Sequence, residues 1–350
     1  MRRILKWILI LAAVYPGTTL PVAAQTKYNI VFYNVENLFD TRDDSLTTDE
    51  EFTPRNERHW TRERFDDKIK MIYKALITAG DGQFPDIIGL AEIENLWVIE
   101  QLISKTPFSK VPYGIIHKES PDPRGIDVAL LYRKDKIKPI DYEHIPVSNT
   151  GKYGFKTRDI LHFTAELGSD QVHFFVNHWP SRSGGYIETK AKRDITAGIL
   201  RKSIDSLFIH DPKTNIILMG DFNATAKEKC FTAILKALPY PGNNDPSYLV
   251  NLSNTWTKRA EGTIRNGGQW EVFDQIICSY NLLSNNRLQI DAEQGGICNF
   301  DFLLEPDATY LGRKPFRTYL GPKYHGGTSD HLPVKIYISG NLLIQPATAY

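Results

Sequence analysis

Four apolar residues, Ile216 to Met219, run through a glycine into Asp221 and Asn223 in the stretch NIILMGDFNA (215–224). A buried strand that ends this way presents a carboxylate and an amide at one point. Other apolar runs end alike. One stops at Asn34, with Glu36 two residues on; another ends LAEIEN, with Glu92 and Glu94; a third ends NHW, with His178. Asp274 opens a further run, and Ser329-Asp330-His331 precedes the last. Carboxylates and amide oxygens are hard ligands that suit Mg²⁺, Mn²⁺ or Ca²⁺. Zinc draws on histidine and cysteine clusters, whose spacing is missing from this sequence. A histidine moves a proton near neutral pH, and an aspartate on its other ring nitrogen fixes the tautomer. Asp274 is the candidate partner of His331. A cation, a histidine and amide donors together fit attack of water on phosphorus.

Each residue alone has a plainer reading. Asn34 and Asn223 are common turn formers, and Asp330 beside Ser329 caps turns. Glu92 and Glu94 share one side of a strand and face solvent if nothing covers it; His178 reads as a satisfied, partly buried histidine. The joint pattern favours a site, because strand ends are where open α/β sheets place ligands. Arg158 in KTRDIL and Arg182 in NHWPSRSGG are candidates for bidentate phosphate binding. As exposed arginines they would carry little. Trp179 is a candidate platform for a base and equally a packing aromatic. No G-x-S-x-G elbow supports a serine hydrolase, and SGG and HGGTSD lack a phosphate-loop lysine.

The elements that must position these residues are short runs rich in Val, Ile, Phe and Tyr, bounded by turn formers. They are 29–34, 86–92, 127–133, 171–179, 215–221, 273–278 and 332–338. Helical spacing appears over 62–79, with Phe65, Ile69, Ile72 and Leu76 in line and Gly80 as C-cap, and over 188–209, with Ile195, Ile199, Ile204 and Phe208. Strands are not regularly separated by helices, so a layered α/β or α+β domain with a mixed sheet fits better than a βαβ repeat.

Arg2, Arg3 and Lys6 precede an apolar run from Trp7 to Val14 and a small-residue stretch ending Val22-Ala23-Ala24. This is the layout of a secretory leader cleaved after Ala24, too short to span a bilayer, which takes about 20 residues. Residues 25–340 then form one domain and 341–350 a tail, exported to the periplasm or beyond, with no later membrane span and no protein partner evident. Losing three bases from 42 leaves 39 against 41 acids. A near-neutral chain is not the footprint of a nonspecific nucleic-acid coat. Cys230, Cys278 and Cys298 allow one disulfide, with Cys278 and Cys298 closer in sequence, or three small buried hydrophobes.

YNVENLFD, PDIIGLAEIEN, NHWPSR, MGDFNA, FDQII and GGTSDHLPV, in that order, resemble the endonuclease/exonuclease/phosphatase superfamily over about residues 28–338. The resemblance implies a four-layer α-β-β-α sandwich, two face-to-face mixed sheets with helices outside. It implies that Glu92 is the principal metal ligand with Asn34 beside it, and that Asp330 is a further metal-site acid. Asp221 and Asn223 would orient the nucleophile and contact phosphate, and His331 with Asp274 would sit next to phosphorus. His178 matches the deoxyribonuclease-like branch. Glu36 and Glu94 take supporting roles. The expected activity is hydrolysis of nucleic-acid phosphodiesters with a divalent metal, Mg²⁺ first and Mn²⁺ or Ca²⁺ next; which histidine is base and which is acid stays open. The alternatives are a phosphatase or phosphodiesterase on inositol phosphates or sphingomyelin, and an inactive binding module. No apolar, aromatic-tipped loop is legible, which disfavours the lipid branch. Residues 41–60 and 304–327 read as long loops flanking the site.

Overall fold

The computed structural model describes residues 25–149, 154–242, 245–258, 262–284 and 287–341. The leader (1–24) and tail residues 342–350 lie outside them. Two seven-stranded mixed sheets stack face to face. The first runs β14 (Leu288–Ile290), β17 (Val334–Asn341), β1 (Gln25–Leu38), β2 (Ile87–Ile93), β4 (Asp127–Arg133) and β3 (Tyr113–His117), with Gly296–Ile297 also paired to β17. The second runs β9 (Ala237–Pro239), β10 (Leu249–Asn251), β13 (Asp274–Ser279), β8 (Asn215–Asp221), β7 (Asp170–His178), β6 (Ile160–Leu167) and β5 (Ile137–Ile145). In each sheet a parallel pair, β1 with β2 and β7 with β8, lies among antiparallel neighbours.

The central strands are continuous apolar runs because both of their faces are covered. Ile30 and Phe32 of β1 and Ile217 and Met219 of β8 point between the sheets, among Phe163, Phe174 and Ile276. The residues between them point outward. Val31 and Tyr33 meet α1 (Arg62–Ala79), and Ile216 and Leu218 meet α3 (Tyr186–His210). The layers are therefore α, β, β, α, as the resemblance implied. The sheets approach so closely at Gly89 that a Cβ there would lie 2.8 Å from Met219 Sδ.

Helix α1 has the predicted bounds. Thr61 caps it by accepting from Arg64 N, and Phe65, Ile69, Ile72 and Leu76 are all fully buried, each contributing about 1.5–3 kcal/mol. Gly80 ends it, at φ −76°. Glycine is required there by closeness, since a Cβ would meet Gln83 O at 2.1 Å. In α3 the buried face differs from the expected one. Ile195 and Ile199 are half-exposed, while Arg193 and Arg201 are buried beside Ala197, Leu200, Ile204 and Phe208. Arg193 donates to Thr189 Oγ1 and Arg201 to Leu235 O, so partners inside the fold make these burials tolerable.

The short helix α2 (Leu96–Ser104) and strands β3 and β5 carry no clear period and go unread in the sequence, as does β6, although its Leu161, Phe163, Ala165 and Leu167 alternate with polar residues. Cys230, Cys278 and Cys298 are free and buried, so the packing alternative holds and the disulfide does not. The 304–327 segment is not loop alone: β15 (Leu304–Pro306) pairs with β16 (Arg313–Pro315), and Tyr319–Leu320 pairs with Lys323–Tyr324. The first hairpin exposes Tyr310 and Leu311 at its tip, an aromatic tip that the sequence reading did not find. No helix among the described residues is long and apolar enough to cross a membrane.

Candidate active site

Register brings the chemistry together. At one edge of the second sheet, Asp221 on β8 is the pairing partner of His178 on β7 and of Asp274 on β13. Across the gap, a parallel pairing sets Asn34 of β1 opposite Ala91 of β2, and the register then slips in both strands. Glu92 occupies that irregularity at φ +64°, and Glu36 and Asn37 lie at +50° and +52°. Asn223 follows β8 at +49°. Four of the eight non-glycine residues with positive φ among the described residues therefore surround this edge. Backbone held in such conformations marks places where position outweighs local strain.

The side chains form one network. Asn34 Nδ2 donates to Asp221 Oδ2 at 3.0 Å and to Glu92 Oε1 at 3.3 Å, bridging the two sheets. Asn37 N donates to Glu92 Oε2 at 2.8 Å. Asn223 N donates to Asp221 Oδ1, and its Nδ2 to Trp179 O. His331 Nδ1 is 2.7 Å from Asp274 Oδ2, as the sequence pairing predicted. Ser329 Oγ accepts from His331 N and donates to Asn34 O, which ties the Ser-Asp-His stretch to β1.

Two histidines approach Asp221 Oδ2, His331 Nε2 at 3.8 Å and His178 Nε2 at 3.6 Å. Their charges differ. Burial disfavours the His331 cation, but the Asp274 and Asp221 carboxylates outweigh it and hold its pKa well above the usual value. Burial pulls His178 well below its usual value, and Arg158, Arg124 and His331 push the same way. His178 is therefore neutral, and its 3.6 Å approach to Asp221 is a polar contact rather than an ion pair. Burial raises Asp221 to about 6, with His331 pulling against it and Asp274 and Glu92 pushing further.

Asp221, Asp274 and His331 bring ligand atoms within 4.8 Å of one another. Asp274 Oδ2 is taken by His331, and the shared Asn34 amide brings Asp221 Oδ2 and Glu92 Oε1 to one point, so these two carboxylates are the first candidates for a cation. Carboxylates crowded by burial, with Asp274 Oδ1 and His178 Nδ1 lacking any partner, fit a hard divalent ion. Asn34 lies between these acids as expected, but its Oδ1 accepts from Glu36 N. Asp330, expected as a metal-site acid, divides its oxygens: Oδ2 is 3.0 Å from Arg317 and Oδ1 is 4.0 Å from His331 Nε2.

Three expected substrate contacts are occupied otherwise. Trp179 is fully buried between Phe222 and Phe231, its Nε1 on Asn177 Oδ1, so it packs and offers no face to a base. Arg158 is buried on Asp122 and Trp179 O. Arg182 spends all three donor groups on Asn223 O, Glu271 and Glu228. Both arginines brace the loops behind the site.

The cation at the rim is one the sequence reading missed. Arg317 Nε and Nη2 donate to Glu36 Oε1, and its side chain is 40% exposed. Glu36 also accepts from Thr318 N, and burial raises its pKa to about 7. Lys68 Nζ donates to Glu36 O and Thr318 Oγ1. One signal existed: Lys68 falls on the apolar stripe of α1, three residues after Phe65, where only a partnered lysine is tolerated. Glu94 caps Asp40 N and stands apart from the network.

The model of a family described as the endonuclease/exonuclease/phosphatase family matches residues 29–340. No curated protein matches the chain significantly. Among solved structures, a mannosyl-6-phosphatase of Bacteroides thetaiotaomicron is similar at 16% identity and TM-score 0.55, covering 89% of this chain and 99% of that one. D. rerio TDP2 complexed with a single-strand DNA product is 15% identical, TM-score 0.54, covering 89% and 99%. The human nocturnin catalytic domain with bound sulfate is 15% identical, TM-score 0.54, covering 91% and 96%. At such identities these likenesses show a shared fold.

Proposed function

The chain belongs to the endonuclease/exonuclease/phosphatase family, whose members are divalent-metal phosphoric ester hydrolases, and on that basis we propose that it is an exported phosphodiesterase that hydrolyses nucleic acid. One observation carries the chemistry: two histidines flank one carboxylate oxygen, His331 with Asp274 on its far ring nitrogen and His178 with no partner on its own, which favours a charged His331 and a neutral His178. A neutral imidazole accepts a proton and an imidazolium donates one, which supports His178 as the base and His331 as the acid. His178 with Asp221 orients and deprotonates the attacking water. His331 stabilises the phosphoryl oxygens and returns a proton to the leaving oxygen. A divalent cation, Mg²⁺ first, held by Glu92 and Asp221 with Asn34 and Asp330 alongside, would supply positive charge to a non-bridging phosphate oxygen.

The fold serves monoesters and diesters alike: one similar structure is a sugar phosphatase and another holds a DNA product. The preference for diesters rests on the His178 position and on the leader, which supports release into a compartment where nucleic acid is scavenged. The test offers plasmid DNA, RNA and bis-(p-nitrophenyl) phosphate to the purified protein and to His331→Ala, with Mg²⁺, Mn²⁺, Ca²⁺ or EDTA. Metal-dependent nicking that the variant lacks is the expected result. Turnover of the small diester alone would keep the chemistry and remove nucleic acid as substrate. A folded protein inert with every metal would leave a binding module.

A further inference from the structure

The β15–β16 hairpin carries its tip in one enforced shape. Arg265 reaches four carbonyls around it: Gly268 O by Nε at 3.2 Å, Arg313 O by Nη1 at 2.6 Å, and Tyr310 O and Leu311 O by Nη2 at 3.4 and 2.8 Å. Asp307, 3.3 Å from Arg265, accepts from Thr309 N and Tyr310 N. Leu311 is held at φ +60°, a conformation that a branched apolar side chain avoids unless its surroundings impose it. The outcome is display. Tyr310 is 56% exposed and Leu311 80%. The Tyr310 ring lies on Gly268, where a Cβ would stand 2.7 Å from its Cγ, so the turn between β11 (Ile264–Asn266) and β12 (Gln269–Glu271) supports the ring from beneath.

Beside this ring is a groove of about 200 Å³ lined by Arg265, Tyr310, Lys314, Arg317, Leu320 and Asp330. It opens from the catalytic edge, since Asp330 Oδ1 is 4.0 Å from His331 Nε2. Arg317 is aligned by Glu36 and Asp330 through Nε and Nη2, and its Nη1 makes no hydrogen bond to the described residues. Arg265 is spent on the loop. Lys314 Nζ is 3.6 Å from Glu305 Oε1, so Arg317 is the cation that an incoming anion meets first, next to a fixed aromatic face and Leu320.

We infer that this groove is a nucleoside subsite, in which Tyr310 stacks on the base next to the scissile phosphate and Arg317 holds a phosphate oxygen. The inference rests on the phosphodiesterase reading and gives it a substrate class: a nucleotide unit whose base is unstacked at the point of attack, as in a single strand or a breathing stretch of supercoiled plasmid, because a base within a duplex keeps its face covered. A platform already rigid loses little entropy on binding, so its contact goes into affinity. Stacking of one base on an aromatic ring corresponds to about tenfold or more in affinity.

Calorimetric titration of the intact protein with adenosine 5′-monophosphate and with ribose 5-phosphate isolates the base. The wild type is expected to prefer the nucleotide about tenfold. Tyr310→Ala should bring the ratio near one, Tyr310→Phe should keep it, and Ile187→Ala, at an exposed position on α3, should keep it too. Arg317→Gln should weaken both ligands together. No preference in the wild type, or a preference that survives Tyr310→Ala, overturns the subsite. So does a Tyr310→Ala effect seen only as lost adsorption to phosphatidylcholine vesicles, which would make the hairpin a lipid contact. The plasmid and RNA assays report separately on the enzyme reading: nucleotide preference without nucleic-acid turnover keeps the subsite and removes the nuclease, and turnover without preference does the reverse.

Discussion

His331 and His178 approach the same oxygen of Asp221, and what separates them is a carboxylate on the far ring nitrogen of one and none on the other. Asp274 is buried with its Oδ2 2.7 Å from His331 Nδ1, so it acts through the histidine. Asp274→Asn keeps the volume and removes the charge that holds the His331 imidazolium in its protonated form. The expected outcome is a fall in kcat of about 10²–10⁴ with the fold retained. Steady-state kinetics, a thermal melt and the ¹⁵N signals of the His331 ring check it together. A purely structural Asp274 would lower the melting temperature and leave the protonation of the His331 ring unchanged; unchanged kcat would remove the dyad from the reaction.

At the scale of elements, the residues at strand ends were legible because a period of two cannot hide an acid at the end of an apolar run. Asp221, Asp274, His178 and His331 converge as the pattern implied. Trp179, Arg158 and Arg182 were read as substrate contacts because sequence gives type and position but not what already fills a donor. Helix α2 and strand β3 were missed because short segments buried through tertiary packing carry little period of their own. Strand β5 is a mostly exposed edge strand with no apolar pattern to read, and β6 was overlooked despite the alternation of Leu161, Phe163, Ala165 and Leu167. The Glu36–Lys68–Arg317 cluster shows the same limit, joining β1, α1 and the 316–328 segment across more than 200 residues of sequence. Lys68→Met keeps the apolar stripe of α1 and leaves Thr318 Oγ1 and Glu36 O without their donor. A destabilisation of about 3 kcal/mol in urea unfolding is expected, since removing one partner from a buried charged set strands the rest. A loss below about 0.5 kcal/mol, the range of an exposed pair, would mean that Lys68 reaches solvent in the folded protein.

Over the whole molecule, the second sheet places a histidine cluster far along β6 and β7 from the catalytic edge, and it makes stability depend on pH. His173 Nδ1 is 2.9 Å from His162 Nε2 and 3.1 Å from Thr164 Oγ1, His162 Nδ1 is 2.9 Å from Glu143, and Gln171 meets His173 Nε2. Burial, with the neighbouring His162 acting in the same direction, lowers the His173 pKa to about 4. The ordinary histidine value is about 6.5. Between these values the unfolded chain binds a proton that the native state refuses, so stability rises with pH across the window and is lost as pH falls through it. His173→Gln removes the group that titrates while keeping a polar side chain beside His162. Urea unfolding at pH 7 and pH 5 should show the variant losing less stability than the wild type over that interval, by about 1–2 kcal/mol at 1.4 kcal/mol per unit of pH. Glu143 faces the pair from β5 and favours a charged His162, so Glu143→Gln should steepen the wild-type loss. Equal losses in wild type and His173→Gln would show that the cluster admits its proton without opening, and the acid limb of stability would then belong to other groups.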